Sequence, residues 1–277
     1  MKRSIVTASA EALLSLVRWP NALLAALGVI AGAWWVAPGS IAAPTWFAAA
    51  AAICLAALSY AANDLFDREI DRVAHPQRPL PSGRLSTREA TVIASIVGVL
   101  GIALAFGASV ALGLLSVAVA ALMVAYSRWF KTRGLLGNAL VAVLASLPFV
   151  YGAWTAGNAR SGLALLLVAV PLHAAREIAK DVADVRADEG HRRTLPIALG
   201  VPRARGIAIL LIACWWIALL PLVRGARISP RHLPLAIGVI VSVIAALRLR
   251  NGRDDAPSLL RISMGAATAW LVAAPQS

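Results

Sequence analysis

Six aspartates fall in two matched triplets. The first lies in Asn63-Asp64-Leu65-Phe66-Asp67-Arg68-Glu69-Ile70-Asp71, the second in Lys180-Asp181-Val182-Ala183-Asp184-Val185-Arg186-Ala187-Asp188. Each is spaced i, i+3, i+7, which on a continuous helix puts the three carboxylates on one face. Like charges at that spacing repel, so an isolated helix is destabilised by the arrangement. Bound divalent cations reverse the sign. Hard cations such as Mg²⁺ take oxygen ligands and are commonly shared between one or two carboxylates and a substrate phosphate. The chemistry this pattern predicts is therefore the handling of a metal–diphosphate.

The repeat extends past the acids. Arg78-Pro79-Leu80-Pro81 follows the first triplet and Arg193-Thr194-Leu195-Pro196 the second. Acid face, basic turn and proline stop occurring twice suggest an internal duplication, with the two clusters facing each other over one cavity. Of the 13 Asp and Glu residues, 9 lie in windows 64–71 and 177–189. Ordinary polar helix ends would account for a single aspartate, but not for two matched triplets holding most of the acids.

The elements that must position them are membrane helices. The chain of 277 residues is 60% hydrophobic and only 14% charged, with a mean hydropathy of +0.78. That is too apolar for one soluble core. A spanning helix needs about 20 mostly apolar residues. Nine stretches qualify: 12–36, 45–66, 88–107, 109–126, 134–155, 161–182, 204–222, 232–249 and 256–273. Both acid windows sit at the ends of such stretches, the second and the sixth, where an acid at membrane depth would cost roughly 3 kcal/mol uncompensated. The expected fold is an all-α membrane protein, residues 1–277 forming a single intramembrane domain. The first apolar run is long enough to span and is expected to stay in the mature protein.

The net charge of +13 does not signal nucleic-acid binding, because no polar segment is long enough to form a binding domain. It follows instead from sidedness. Of 26 Lys and Arg residues, all but Arg160, Arg224, Arg227 and Arg231 fall on the face that carries the N-terminal segment and the acid windows. By the positive-inside rule that face is cytoplasmic. The expectation is an integral protein of the inner (plasma) membrane, with the mouth of the site facing the cytoplasm. Cys54 and Cys214 lie in apolar runs and imply neither disulfide nor metal knuckle.

With these motifs the sequence resembles the UbiA-type intramembrane prenyltransferases, which carry N-D-x-x-D-x-x-x-D at the end of helix 2 and a D-x-x-D-x-x-x-D-type motif at the end of helix 6. Similarity also covers R-x-x-N (Arg18, Asn21), Y-x-x-x-x-K (Tyr126, Lys131) and the turn Arg78 to Gly83, and so nearly the whole chain. The resemblance implies a bundle of about nine transmembrane helices around a central, lipid-open cavity. It implies Mg²⁺ and the diphosphate of a prenyl donor held on Asn63, Asp64, Asp67, Asp71, Asp181, Asp184 and Asp188. Among these, Asp64, Asp67, Asp181 and Asp184, with Tyr126, would be catalytic. Arg18, Asn21, Asn63, Arg78, Lys131 and Lys180 would contact substrate. Tyr126 would steer a carbocation or sit in the interfacial aromatic belt. His173 shares the acid face of its helix and would touch the acceptor or form an internal hydrogen bond.

Around the second motif, from Arg176 to Pro196, and in the run Arg78 to Ser86, the sequence is similar to the digeranylgeranylglyceryl phosphate synthase-like branch. This implies transfer of a prenyl group, geranylgeranyl in the nearest case, to the hydroxyl of a lipophilic glycerol phosphate. An aromatic quinone precursor is the alternative acceptor. Arg186, His191, Arg192 and Arg193 would suit an anion of either kind. A CDP-alcohol phosphotransferase is excluded by the lack of a D-G dipeptide followed by A-R. A transporter would place its ionisable residues near the bilayer midplane, whereas these cluster at one rim.

Overall fold

The computed structural model describes residues 10–190, 192–224 and 229–273. His191 lies outside the described residues, as do Lys2, Arg3 and Arg227 of the sidedness argument. The described residues are all helical or connecting. In order they form α1 (Ala10–Val17), α2 (Trp19–Val36), α3 (Ala43–Phe66), α4 (Arg68–Ala74), α5 (Thr87–Ala108), α6 (Val110–Ala125), α7 (Leu135–Thr155), α8 (Ala159–Ala183), α9 (Val185–Asp188), α10 (Leu195–Leu199), α11 (Val201–Val223), α12 (Leu233–Arg250) and α13 (Ala256–Ala273).

Eight of the described helical spans are long and apolar enough to cross a membrane. The ninth expected stretch forms the 18-residue α13, which carries Arg261 in its second turn and stands outside that set. Large apolar side chains point outward along the long helices, among them Val99, Leu114, Leu167, Leu210, Ile217 and Ile240. In water such a surface would be costly; in lipid it is matched. The chain is an integral membrane protein.

Helix ends follow local chemistry. At the start of α5, Ser86 Oγ accepts from the Glu89 backbone N–H (3.2 Å) and Glu89 Oε2 from the Ser86 N–H (2.7 Å), a reciprocal cap. Ser109 closes α5 and caps α6, accepting from the Leu112 N–H at 3.2 Å. The expected break at Gly107–Ala108 thus falls at Ser109, because the hydroxyl rather than the glycine supplies the turn.

The predicted span 12–36 is two helices. Arg18 separates α1 from α2 with φ 48° and ψ 54°, the only described non-glycine residue at positive φ. Pro20, in the first turn of α2, needs no N–H donor there and suits a restart.

Packing runs in two groups joined by α2 and α7. α3 packs on α5, and α5 on α6; α8 packs on α7 and α11, and α12 on α13. α2 lies against α7, where glycines permit backbone contact: a Cβ on Gly152 would collide with the Val29 carbonyl, and one on Gly32 with the Phe149 carbonyl. Close approach through small residues is the usual adhesive of helices in lipid. Buried hydroxyls add to it: Ser116 and Tyr151 bond at 2.9 Å, and Ser263 Oγ donates to the Gly238 carbonyl at 2.8 Å. The two acid-bearing helices, α3 and α8, therefore descend in separate halves and end on the same side.

Candidate active site

The triplets do not ride on continuous helices. α3 stops at Phe66 and α4 starts at Arg68, with Asp67 between them at φ −90° and ψ 3°. α8 stops at Ala183 and α9 starts at Val185, with Asp184 between them at φ −94° and ψ 6°. The middle aspartate of each motif is thus a hinge of nearly identical geometry. This corrects the single-face expectation and strengthens the duplication: the backbone break recurs as well as the sequence. Asp71 N–H still donates to the Asp67 carbonyl (2.8 Å), and Asp188 N–H to that of Asp184 (3.0 Å), so each short helix continues from its hinge.

The motifs are brought together by one side chain. Arg192 pairs through Nη2 with Asp67 Oδ1 and through Nη1 with Asp188 Oδ1, the latter at 3.1 Å. Sequence reasoning reserves Arg192 and Arg193 for the acceptor. The structure puts Arg192 on both acid motifs and leaves Arg193 exposed. The reason is charge: two buried carboxylates lie within reach of the first guanidinium after α9, and Arg presents a planar fork to them.

The other basic residues also lean on the acids. Arg18 Nη2 meets Asp64 Oδ1 at 2.6 Å, with its guanidinium 5.0 Å from the centre of the Tyr60 ring. Arg78 Nη1 reaches Asp71 Oδ2 at 2.6 Å and Asp64 Oδ1 at 3.4 Å. Lys131 pairs with Asp67 and donates to Asn63 Oδ1 at 2.5 Å. Lys180 pairs with Glu177 at 2.6 Å instead. Asp181 Oδ2 accepts from Asn138 Nδ2 at 2.9 Å. Asn138, on α7, is a site contact that sequence reasoning missed. Its position in an apolar helix was the available signal, since a buried amide needs a partner.

The Tyr126–Lys131 spacing has a structural explanation. Residues five apart in an α-helix point about 140° from each other. Here Tyr126–Phe130 form one π turn, closed by the Lys131 N–H donating to the Tyr126 carbonyl at 2.9 Å. That turn sets both side chains toward one cavity of about 240 Å³. Arg18, Asn21, Asn63, His173 and Lys180 also line it.

Asp64, Asp67, Asp71 and Asp188 are all buried. For Asp67, burial works upward, but the Lys131 and Arg192 charges outweigh it and hold the carboxyl below the usual range. Asp71 and Asp188 go the other way: burial pushes them up despite Arg78 and Arg192, and neighbouring aspartates add to the rise. Both carboxylates stay paired with a guanidinium, and it is chiefly burial that works against their charged form. A hard dication fits the oxygen-only donor set of Asn63 and the aspartates. Among the described residues no three acids gather as a preformed metal cage; Mg²⁺ shared with phosphate oxygens needs only one or two.

Comparison with known proteins agrees with this geometry. The model of the UbiA prenyltransferase family matches residues 24–266. A digeranylgeranylglyceryl phosphate synthase of Korarchaeum cryptofilum is 32% identical over 88% of this chain and 90% of its own. That of Halobacterium salinarum is 35% identical over 85% and 87%. Among solved structures, one described as giving insights into digeranylgeranylglyceryl phosphate synthase in membranes superposes with a TM-score of 0.71, at 26% identity over 95% and 97% of the two chains. A UbiA homologue of Archaeoglobus fulgidus bound to GPP and Mg²⁺ shares the fold, with a TM-score of 0.73 at 19% identity over 95% and 100%.

Proposed function

This chain belongs to the UbiA prenyltransferase family, in its digeranylgeranylglyceryl phosphate synthase-like branch, and from that premise we propose that it transfers a geranylgeranyl group from its diphosphate to the free hydroxyl of geranylgeranylglyceryl phosphate. The observation that carries the reading is the Arg192 bridge, which joins Asp67 of one acid motif to Asp188 of the other at a single site.

In this reading the acid side binds the donor. Asn63, Asp64, Asp67, Asp71, Asp181, Asp184 and Asp188 would hold Mg²⁺, which when bound supplies Lewis-acid stabilisation of the departing diphosphate. Arg18, Arg78, Lys131 and Arg192 rest on carboxylates in this state and would turn to phosphate oxygens as the donor arrives, aided by Lys180. They then neutralise charge that grows as the C1–O bond breaks and its electron pair stays on the diphosphate. Buried Tyr126 faces the allylic carbon as positive charge develops there. The acceptor oxygen forms the new C–O bond, and its proton leaves with the diphosphate. Apolar walls keep water from taking the acceptor's place.

The chamber would be central and open to lipid, within nine spans that include α13, and its mouth would face the cytoplasm of an inner membrane. Residues 1–277 would act as one unit. The test is purified protein with labelled geranylgeranyl diphosphate, Mg²⁺ and a panel of acceptors. An ether-linked glyceryl phosphate product is expected. A prenylated aromatic ring, with glycerol phosphates inert, would replace the acceptor assignment.

A further inference from the structure

The cavity has a second charged wall that the donor chemistry leaves unused. Arg176 and Glu177 on α8 and Arg261 on α13 line it, together with Tyr60, next to the Lys180 already given to the donor. Glu177 takes both Arg176 (3.0 Å) and Lys180 (2.6 Å), so two cations already share one carboxylate. Arg176 Nε is buried and has no hydrogen-bond partner among the described residues. Arg261 forms no ion pair or hydrogen bond among them either. Tyr60 lies within electrostatic reach of both guanidinium groups.

Arg261 stands exposed at the cavity rim, while the buried Nε–H of the partly buried Arg176 is costly to leave unanswered, and an anion entering the cavity would meet it. The donor diphosphate already has Arg18, Arg78, Lys131 and Arg192, all on the acid motifs. α13 also turns Met264 and Thr268 to the same cavity, three and seven residues beyond Arg261. These continue the guanidinium's face upward as a mostly apolar track, the surface an anionic headgroup with a hydrocarbon tail would need.

We propose that Arg176 and Arg261 form a second anion site, which binds the phosphate monoester of the acceptor and so holds its hydroxyl toward the donor. The proposal rests on the prenyl-transfer reading and names where its second substrate is anchored. Arg261 presents its fork from the rim, and Arg176 its free Nε from within. Tyr60, between this wall and the Asp64-bound Arg18, stands beside the path from acceptor to donor.

Equilibrium binding without turnover tests it, using geranylgeranylglyceryl phosphate, its dephosphorylated form geranylgeranylglycerol, and geranylgeranyl diphosphate with Mg²⁺ as probes. Wild type should bind the phosphate form at least about tenfold more tightly than the neutral one. Arg261→Gln should cut that preference to within about threefold, and Arg176→Gln should reduce it in the same direction. Donor affinity should stay within about twofold in both. An intact preference in both variants, or no preference in wild type, would overturn the proposal. A loss of donor affinity equal to that of acceptor would also overturn it, by assigning the wall to the diphosphate. Because no product is measured, inactivity toward this acceptor would sink the functional reading without being confused with failure of the site.

Discussion

Arg192 and Asp67 form an ion pair across 125 positions of sequence, between the turn after α9 and the hinge that ends α3. Its second arm holds Asp188. Replacing it therefore loosens both motifs at once, and Arg192→Gln should lower kcat/KM for the donor by at least about tenfold. Arg192→Lys should restore little, because one ammonium cannot present the same fork to two carboxylates. Steady-state kinetics with the donor varied would check this; full activity of the lysine variant would show that charge alone suffices.

Asn138 tests the second motif from outside it. Its amide holds Asp181 at 2.9 Å, and a partly buried carboxylate left without its donor costs on the order of 1 kcal/mol. Asn138→Leu should reduce turnover about tenfold or more, with helix content preserved. Unchanged turnover would make the contact incidental.

How much of this was legible beforehand divides by physical scale. The apolar stretches set the helices, since hydrocarbon thickness dictates span length. The aspartate triplets pointed to the site, since acids are rare at that depth. What stayed hidden was set by tertiary contact. The hinges at Asp67 and Asp184 lie within strong helical patterns, and nothing local breaks them. The Arg18 break looks apolar and continuous. Arg192, read as a cation for the acceptor's anionic group, pairs instead with a carboxylate at the end of another helix. The duplication was legible as sequence, but Arg78 and Arg192 follow their aspartates at different distances, so the two halves are not copies in charge pairing.

Alanine at Asp64, Asp67, Asp181 or Asp184 should abolish activity, whereas Asp254→Ala should be near normal. Glu89→Ala should also turn over near normally while losing about 1 kcal/mol of stability, because Glu89 caps α5 rather than touching the site. Thermal unfolding alongside activity separates these classes. Near-normal turnover by any two of the four aspartate variants would move the site elsewhere.

In a background with Cys54 and Cys214 replaced, a cysteine at Ser82, in the turn before α5, should react with an impermeant thiol reagent only from the cytoplasmic side. One at Ser40, between α2 and α3, should react only from the other side. Labelling of both from one side would break the sidedness inferred from Lys and Arg.

The central claim is that the two acid motifs make one donor site. Binding of geranylgeranyl diphosphate, titrated with Mg²⁺, to wild type, Asp64→Asn and Asp181→Asn tests it most directly. The account predicts Mg²⁺-dependent binding in wild type, weakened at least about tenfold by either substitution. Unchanged donor affinity when either motif is altered would contradict it.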